Sequence, residues 1–301
     1  MTSAVWTPTS TCGPHCLRGD EPRTVGFGVQ AARLLRLLTV VLAAAAMMPL
    51  LPLWPARLRA RSVRACARGI LHALGIRLTV RGRLPEHKAL VAANHVSWLD
   101  IVVILAAGES RLVAKSEVGR WPLVGQIATH TGAFFLDRSR PKTLPAAVGT
   151  VRAALSAGDV VTLFPEGTTS CGEGAGGFRP AFFQAVIDSG ACVVPLTLSF
   201  RAGGQPTTKP AFIGDDTLID SICRVLALRG LTIGLTFGTA IHPGPAASRR
   251  TLARITGRAV GCIPPEPIWP LVVALPSPGG PAPAAPSAPA QAPVTGLADA
   301  A

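Results

Sequence analysis

The sequence predicts an α/β protein, with a single mixed sheet flanked by helices and a membrane-associating helical segment near the N-terminus. Short apolar runs, often β-branched, alternate with amphipathic stretches over residues 76–262, which is the pattern of a sheet layered with helices. The hydrophobic fraction is 49%, the charged fraction is 15% and the mean hydropathy is +0.41. This composition excludes a disordered chain, and the 18-residue run Leu37–Trp54 carries no charge.

The first 69 residues divide into two predicted segments. Residues 1–30 contain Pro and Gly breaks and are expected to form a flexible arm. Residues 31–69 are expected to associate with a membrane. As a helix, Leu37–Trp54 would extend about 27 Å, barely the thickness of the hydrocarbon core, and Pro49 and Pro52 disfavour a straight helix. A full span and a bent helical hairpin in the interface therefore both stay open.

Basic residues follow the apolar run and dominate the charge of the chain. The formal net charge is +13, from 29 Lys+Arg against 16 Asp+Glu, which favours an anionic partner: nucleic acid, an acidic lipid surface or an acidic carrier protein. Zinc-finger spacing, a basic recognition helix and an aromatic platform are not evident, so nucleic acid is not expected. Five arginines within fifteen residues place this side of the segment in the cytoplasm by the positive-inside rule: Arg57, Arg59, Arg61, Arg64 and Arg68. The expected location is the cell membrane, with the following domain on the cytoplasmic face.

Residues 70–262 are expected to form the folded domain. The strand candidates are Ile76–Val80, Leu90–Ala93, Arg111–Ala114, Ala133–Leu136, Val160–Phe164, Cys192–Leu198 and Leu231–Phe237. The helix candidates are Trp98–Ala107, Pro122–Thr129, Leu144–Ala157, Pro180–Asp188, Asp216–Leu228 and Ala247–Val260. Residues 263–301 are rich in Pro and Ala and are expected to be a disordered tail. Cys12 and Cys16 lack a second cysteine pair and are expected to be free thiols, so the sequence predicts no metal site.

His95 and Asp100 follow the predicted strand Leu90–Ala93. On one ideal helix, residues five apart point roughly 140° away from each other. The two side chains can meet only if His95 precedes the first helical turn, which a strand-to-helix junction permits. A carboxylate on Nδ1 would then leave Nε2 free to take a proton from a hydroxyl group. The alternative interpretation is that Asn94 caps the helix and His95 is a polar residue of the first turn.

A second candidate segment, Phe164–Ser170, follows the apolar strand that begins at Val160. It places a carboxylate, a glycine and three hydroxyl side chains at the carboxyl end of a strand, where open α/β sheets bind ligands. An ordinary surface turn is the competing interpretation. Lys115 and Arg138 follow other strands, and Arg179 precedes a predicted helix. Beside His95 and Glu166 these three cations would form an anion pocket. A metal-dependent hydrolase using His95, Asp100 and Glu166 is a further alternative, although the ligand set is not dense.

These blocks, taken in order, resemble the glycerolipid acyltransferase family typified by 1-acylglycerol-3-phosphate acyltransferases. The resemblance covers about residues 70–240, and the combination of His-x₄-Asp with Phe-Pro-Glu-Gly-Thr is its specific feature. The matching blocks are Asn94-His95 with Asp100, Gly132–Arg138, Phe164–Thr168 and Val193–Leu196, together with Lys115 in its segment.

The resemblance implies an O-acyltransferase without a covalent acyl-enzyme, a metal or a bound cofactor. His95 would be the general base and Asp100 would orient it. Glu166 and Gly167 would help bind the acceptor, and Arg138 would contact its phosphate. The full set of candidate substrate-binding residues is Lys115, Arg138, Glu166, Gly167, Thr168, Thr169 and Arg179. The acyl donor would be an acyl-acyl carrier protein or acyl-CoA, the acceptor a lysophospholipid, and the product phosphatidate if that acceptor is 1-acylglycerol-3-phosphate. The further partner would be an anionic membrane surface.

One position departs from the family pattern. The family usually has Arg after Phe-Pro-Glu-Gly-Thr, and this chain has Thr169. A threonine cannot make the bidentate contact that an arginine makes with a phosphate. Either Arg138 and Arg179 bind the phosphate, or the acceptor is another lysolipid such as lyso-ornithine lipid.

Overall fold

The structure is a computed structural model that describes residues 10, 12–17, 24–121, 124–137, 140–172 and 177–261. Within these residues eight strands form one sheet. They are β1 (Arg77–Arg81), β2 (Ala89–Ala93), β3 (Arg111–Lys115), β4 (Phe134–Leu136), β5 (Val160–Leu163), β6 (Cys192–Ala202), β7 (Gln205–Pro206) and β8 (Leu231–Phe237). Their order is β1-β8-β6-β2-β5-β3-β4, with β7 beside β6. Strands β6, β2, β5, β3 and β4 run parallel, whereas β8 is antiparallel to β6, so the predicted single mixed sheet is confirmed.

Helices cover both faces of the sheet. They are α1 (Phe27–Met47), α2 (Ala56–Ala73), α3 (Leu99–Ala107), α4 (Val124–His130), α5 (Leu144–Ser156), α6 (Phe183–Ser189), α7 (Leu218–Ala227) and α8 (Arg249–Val260). Short 3₁₀ turns cover Pro14–Leu17, Met48–Leu53, Ser116–Arg120 and Pro141–Thr143. Buried side chains of α1, α2, α3 and α7 form the core on one face of the sheet, and those of α5, α6 and α8 form the core on the other.

The central strand β2 shows why this sheet forms. All five of its residues, Ala89–Ala93, are fully buried. Their side chains alternate between the two cores, because successive residues of a strand point to opposite faces. A parallel strand covered by helices on both faces needs such a continuous apolar run. The same run ends at the candidate histidine, so the sheet fixes the position of His95.

The structure differs from the predicted segments at three places. Helix α1 begins at Phe27, so it overlaps the expected arm of residues 1–30. Helix α2 was not predicted, because its five arginines obscure the apolar stripe that includes Ala67 and Leu71. Strand β6 continues to Ala202 and pairs with the short strand β7, which was not predicted either. The expected tail, 263–301, lies outside the described residues.

Helix α1 and its 3₁₀ extension form an apolar stretch, Phe27–Leu53. In the described part of the chain it is the one helix long and apolar enough to cross a membrane, judged by length and composition. Its most apolar 18-residue window has a mean hydropathy of 2.2, and 17% of that window is buried. Several large side chains are exposed, including Phe27 (84%), Leu42 (67%) and Leu53 (79%). The stretch is therefore not a buried core helix, and it exposes an apolar surface.

The apolar stretch is nevertheless attached to the domain at both ends. Arg33 is buried, and its Nη1 donates to the carbonyl oxygens of Leu226 (2.7 Å) and Leu228 (2.8 Å). Carbonyl groups at the C-terminal end of a helix such as α7 have no partner within the helix, and the helix dipole also favours a cation there. At the far end, Met48 and Leu51 are buried. Helix α1 is thus part of the folded domain.

Candidate active site

Asn94 fixes the chain where it leaves β2. Its Nδ2 donates to the carbonyl oxygen of Leu198 (3.0 Å), and its Oδ1 accepts from the backbone N–H of Leu198 (2.7 Å). Both polar atoms of the Asn94 side chain therefore pair with the backbone of β6. The alternative interpretation, that Asn94 caps the next helix, is wrong: α3 begins only at Leu99, and its N-cap residue is Trp98.

Residues 95–98 form the junction that brings His95 to Asp100. Nδ1 of His95 lies 2.8 Å from Oδ2 of Asp100. The same Oδ2 accepts from the backbone N–H groups of Val96 (2.6 Å) and Ser97 (2.9 Å). Asp100 is fully buried in the first turn of α3, where the helix dipole favours a negative charge. The structure therefore brings together the two residues that the sequence singles out, and His95 precedes the helix as the geometry requires.

The hydrogen bonds of Asp100 determine the tautomer of the imidazole. Oδ2 already accepts from two N–H groups, so it acts as an acceptor toward His95, and Nδ1 carries the proton. The basic nitrogen is then Nε2. The imidazole also stacks on the ring of Phe164, with centroids 4.0 Å apart and planes inclined by 14°. Its side chain is 19% exposed, so the ring is held firmly yet reachable from the surface.

The segment after β5 holds the backbone of His95 from the other side. Oε1 of Glu166 accepts from the backbone N–H of His95 (2.9 Å). The N–H of Ser170 donates to the carbonyl oxygen of His95 (2.8 Å). Gly167 turns the chain between them with φ +81°, a conformation that other residues rarely adopt. The two sequence blocks thus form one site, with the peptide groups of His95 fixed by the Phe164–Ser170 segment.

Glu166 is a buried carboxyl group, 6% exposed. Burial raises its pKa above the ordinary value, although hydrogen bonds from His95 and Ser170 act in the opposite direction. The negative charge of Asp100 adds to the increase. Burial therefore favours the protonated form of this carboxyl group more than in an exposed glutamate.

The remaining predicted residues occupy different positions relative to the pair. The hydroxyl of Thr169 donates to the carbonyl oxygen of Phe212, so this side chain is bound to the protein's own backbone. Gly167 is buried and Thr168 is half-buried in the same segment. The side chain of Arg179 is exposed, and its backbone N–H donates to the carbonyl oxygen of Pro165 (2.9 Å). Arg138 lies outside the described residues.

Strand β3 continues toward the carboxyl edge of the sheet beyond its pairing with β5. Pairing of β3 with β5 covers Arg111 and Leu112, whereas pairing of β3 with β4 continues to Lys115. The last three residues of β3 therefore pair with β4 and not with β5, which ends at Leu163. Lys115, which is exposed, lies at the end of β3, two strands from β2. With strands about 4.8 Å apart, that offset is about 10 Å.

Two features of the site could not be assigned from the sequence. Phe164 is a stacking partner of His95, and Phe212 joins the two blocks by accepting from Thr169 and donating its N–H to the carbonyl oxygen of Val96 (2.9 Å). Phe164 is the first residue of the block Phe164–Thr168, and its place in that block could have indicated that it belongs to the site. Phe212 lies in a loop far along the chain, and nothing in its neighbourhood pointed to the site.

Comparison with known proteins defines the class. Residues 76–199 match the Acyltransferase family model. The chain is 37% identical over 182 residues to a 1-acyl-sn-glycerol-3-phosphate acyltransferase of Neisseria meningitidis, covering 60% of this chain and 71% of the relative. It is 32% identical over 238 residues to a lyso-ornithine lipid O-acyltransferase of Pseudomonas aeruginosa, covering 77% of this chain and 91% of the relative. The matched region contains the His95 site, and the protein is an acyltransferase.

The fold agrees with that assignment. The crystal structure of the 1-acyl-sn-glycerophosphate acyltransferase from Thermotoga maritima superposes with a TM-score of 0.54 at 19% identity, covering 76% of this chain and 94% of that chain. The chain belongs to the glycerolipid acyltransferase family, as the sequence blocks predicted.

Proposed function

We propose that this enzyme transfers a fatty acyl group from an acyl thioester to the free hydroxyl of a lysolipid, with His95 as the general base. The observation that carries the proposal is the pairing of His95 Nδ1 with the buried Asp100 carboxylate at 2.8 Å. That pairing makes Nε2 the proton acceptor and stabilises the imidazolium that forms when it takes a proton. The family contains enzymes named for this class of reaction.

The proposed reaction proceeds in two steps. Nε2 of His95 takes the proton of the acceptor hydroxyl while the oxygen attacks the thioester carbonyl carbon. The tetrahedral intermediate then expels the thiolate, which receives the proton from the imidazolium, so the products are the acylated lipid and a free thiol. General-base catalysis of this kind contributes about 10²–10⁴-fold. Orientation of the two substrates and stabilisation of the oxyanion supply the remainder.

The first candidate acceptor is 1-acylglycerol-3-phosphate, which would yield phosphatidate. The relatives from Neisseria carry this substrate in their names. The phosphate would be bound by Lys115, Arg138 and Arg179, with Glu166, Gly167 and Thr168 positioning the glycerol end. Cations at the edge of an open sheet are suited to an anionic headgroup.

The second candidate acceptor is lyso-ornithine lipid, and the Thr169 contact favours it. At this position the family pattern supplies an arginine, but the Thr169 hydroxyl donates to Phe212 instead of facing a headgroup. Four relatives named lyso-ornithine lipid O-acyltransferase match this chain at 30–34% identity. An acceptor without a phosphate would make the missing arginine unnecessary.

The apolar stretch Phe27–Leu53 supports action at a membrane surface. Because Arg33 and Leu51 attach its two ends to the domain, we propose that it lies in the interface rather than crossing the bilayer. The arginines of α2 would then contact anionic headgroups on the cytoplasmic face, each contributing about 1 kcal/mol. The acyl donor, acyl-acyl carrier protein or acyl-CoA, would approach from the cytoplasm, and the basic surface suits an acidic carrier.

The experiment that tests the proposal is an acceptor panel with purified full-length enzyme in micelles. Labelled acyl-CoA and acyl-acyl carrier protein are offered with lysophosphatidate, lyso-ornithine lipid and other lysolipids. We expect transfer to one acceptor class and a loss of about 10²-fold or more in His95→Ala. His242→Ala, at an exposed histidine, is the matched control and should keep the wild-type rate. Full transfer by His95→Ala would refute the role of His95.

A further inference from the structure

Three cysteines from distant parts of the sequence converge beside the Phe164–Ser170 segment. Cys12 precedes the N-terminal 3₁₀ turn Pro14–Leu17, Cys16 lies within that turn, and Cys171 follows Ser170. Their Sγ atoms all lie within 4.8 Å of one another. Sequence spacing could not reveal this group, because Cys12 and Cys171 are 159 residues apart.

The fold holds the N-terminal pair in place. The N–H of Cys12 donates to the hydroxyl of Ser10 (3.1 Å), and the N–H of Cys16 donates to the carbonyl oxygen of Gly13 (2.9 Å). The hydroxyl of Thr208 donates to the carbonyl oxygen of Cys16 (2.7 Å), which links the turn to the domain. Both cysteines also pack against the apolar core. The thiols therefore meet at a defined place and not at a flexible end.

We propose that Cys12, Cys16 and Cys171 bind a Zn²⁺ ion. Three thiolates at tetrahedral angles around zinc, with Zn–S distances of about 2.3 Å, place the sulfur atoms about 3.8 Å apart, so small side-chain rotations suffice to close the site. Thiolates are the ligands that select this soft cation. The N–H of Cys171 donates to Sγ of Cys12 (3.3 Å), a contact that supports a negatively charged sulfur. A water molecule or other small ligand completes the tetrahedron.

The ion would connect the N-terminal turn to the catalytic histidine. Cys171 is adjacent to Ser170, and the N–H of Ser170 donates to the carbonyl oxygen of His95. Metal binding would therefore hold the segment that fixes the His95 peptide. The site is structural in this proposal, and the proton transfer at His95 does not pass through the ion. Failure of the metal test would leave the proposed acyl transfer unaffected.

The first test measures metal content. Full-length enzyme is purified with a phosphine reductant, dialysed and analysed for zinc by mass spectrometry, and metal-free protein is titrated with Co²⁺ and read by thiolate-to-cobalt charge-transfer absorption. We expect about one zinc per chain and a clear cobalt band. Cys12→Ser and Cys171→Ser should lose both, whereas Cys223→Ser, at an exposed cysteine, should keep them. Wild-type protein that binds neither metal, or a Cys171→Ser variant that binds both as well as wild type, would overturn the proposal.

A second measurement uses wild-type protein and covers the case in which the variants fail to fold. Alkylation followed by peptide mass analysis should modify Cys223 in all samples. Added zinc should protect Cys12, Cys16 and Cys171, and a chelator should restore their reactivity. Equal alkylation with zinc and with chelator, or a disulfide between any two of the three under reducing conditions, would contradict a metal site.

Discussion

Replacing Asp100 with Asn tests the central pair most directly, because it keeps the shape of the side chain and removes the charge. In one orientation Oδ1 of the asparagine takes the place of the carboxylate Oδ2 and still accepts from His95, Val96 and Ser97. Its NH₂ group then occupies the position of Oδ1, which is buried and has no hydrogen-bond partner among the described residues. In the other orientation the NH₂ group faces three donors, which is unfavourable.

The magnitude follows from these two orientations. The first orientation keeps the tautomer of His95 but loses the negative charge that stabilises the imidazolium, and the second also disfavours the tautomer with the proton on Nδ1. We expect kcat to fall about 10²–10⁴-fold, which corresponds to about 2.7–5.4 kcal/mol in activation free energy. The buried, unpaired NH₂ group should also lower the free energy of unfolding by about 1–3 kcal/mol.

The assay is initial-rate acyl transfer in micelles with saturating acceptor and donor, together with thermal unfolding of the same preparations. Asp215→Asn, at an exposed aspartate, controls for the change of charge and should leave both measurements at wild-type values. If Asp100→Asn keeps kcat within about threefold of wild type while the protein is folded, Asp100 does not stabilise the imidazolium and the assignment of the pair is wrong.

Three further predictions use other parts of the structure. Glu166→Gln keeps an acceptor for the His95 N–H but removes a buried ionisable group whose pKa is raised. The folded state of the wild-type protein holds this proton more tightly than the unfolded state, so the stability of the wild type decreases as pH rises through the raised pKa. In melting curves the Gln variant should lose that pH-dependent decrease. In acyl-transfer kinetics the KM of the variant should rise more than its kcat falls. Thr169→Arg should raise kcat/KM for lysophosphatidate relative to lyso-ornithine lipid, and an unchanged ratio in the acceptor panel would show that this position does not select the headgroup. Arg33→Met should lower the free energy of unfolding by about 2–4 kcal/mol in denaturant titration, whereas Arg36→Met, at an exposed arginine, should change it little.

The centre of the sheet could be predicted because β2 and β5 are buried on both faces. A run such as Ala89–Ala93 has no polar position, so its extent is visible in the sequence and agrees with the structure to within one residue. Helix α2 was missed for the opposite reason: five arginines interrupt its apolar residues, and only the spacing of Ala67 and Leu71 marks the packed face.

The site could be predicted only as far as local spacing reaches. His95 and Asp100 are five residues apart, and the requirement that the histidine precede the helix could be stated in advance. The contact of Glu166 with the backbone N–H of His95 depends on β2 and β5 being neighbours, which is a property of the sheet order. The proximity of Cys171 to Cys12 depends on the docking of the N-terminal turn, for which the sequence has no local signal.

The Arg33 contact also has a consequence for biosynthesis. Its partners, Leu226 and Leu228, lie 193 and 195 residues further along the chain. At translation rates of about 5–20 residues per second, helix α1 leaves the ribosome about 10–40 s before the carbonyl groups that receive Arg33 exist. During that interval the Arg33 guanidinium lacks the two carbonyl partners that it has in the folded domain. If the stretch lies in the membrane interface as proposed, α7 would fold onto a helix that has already met the lipid.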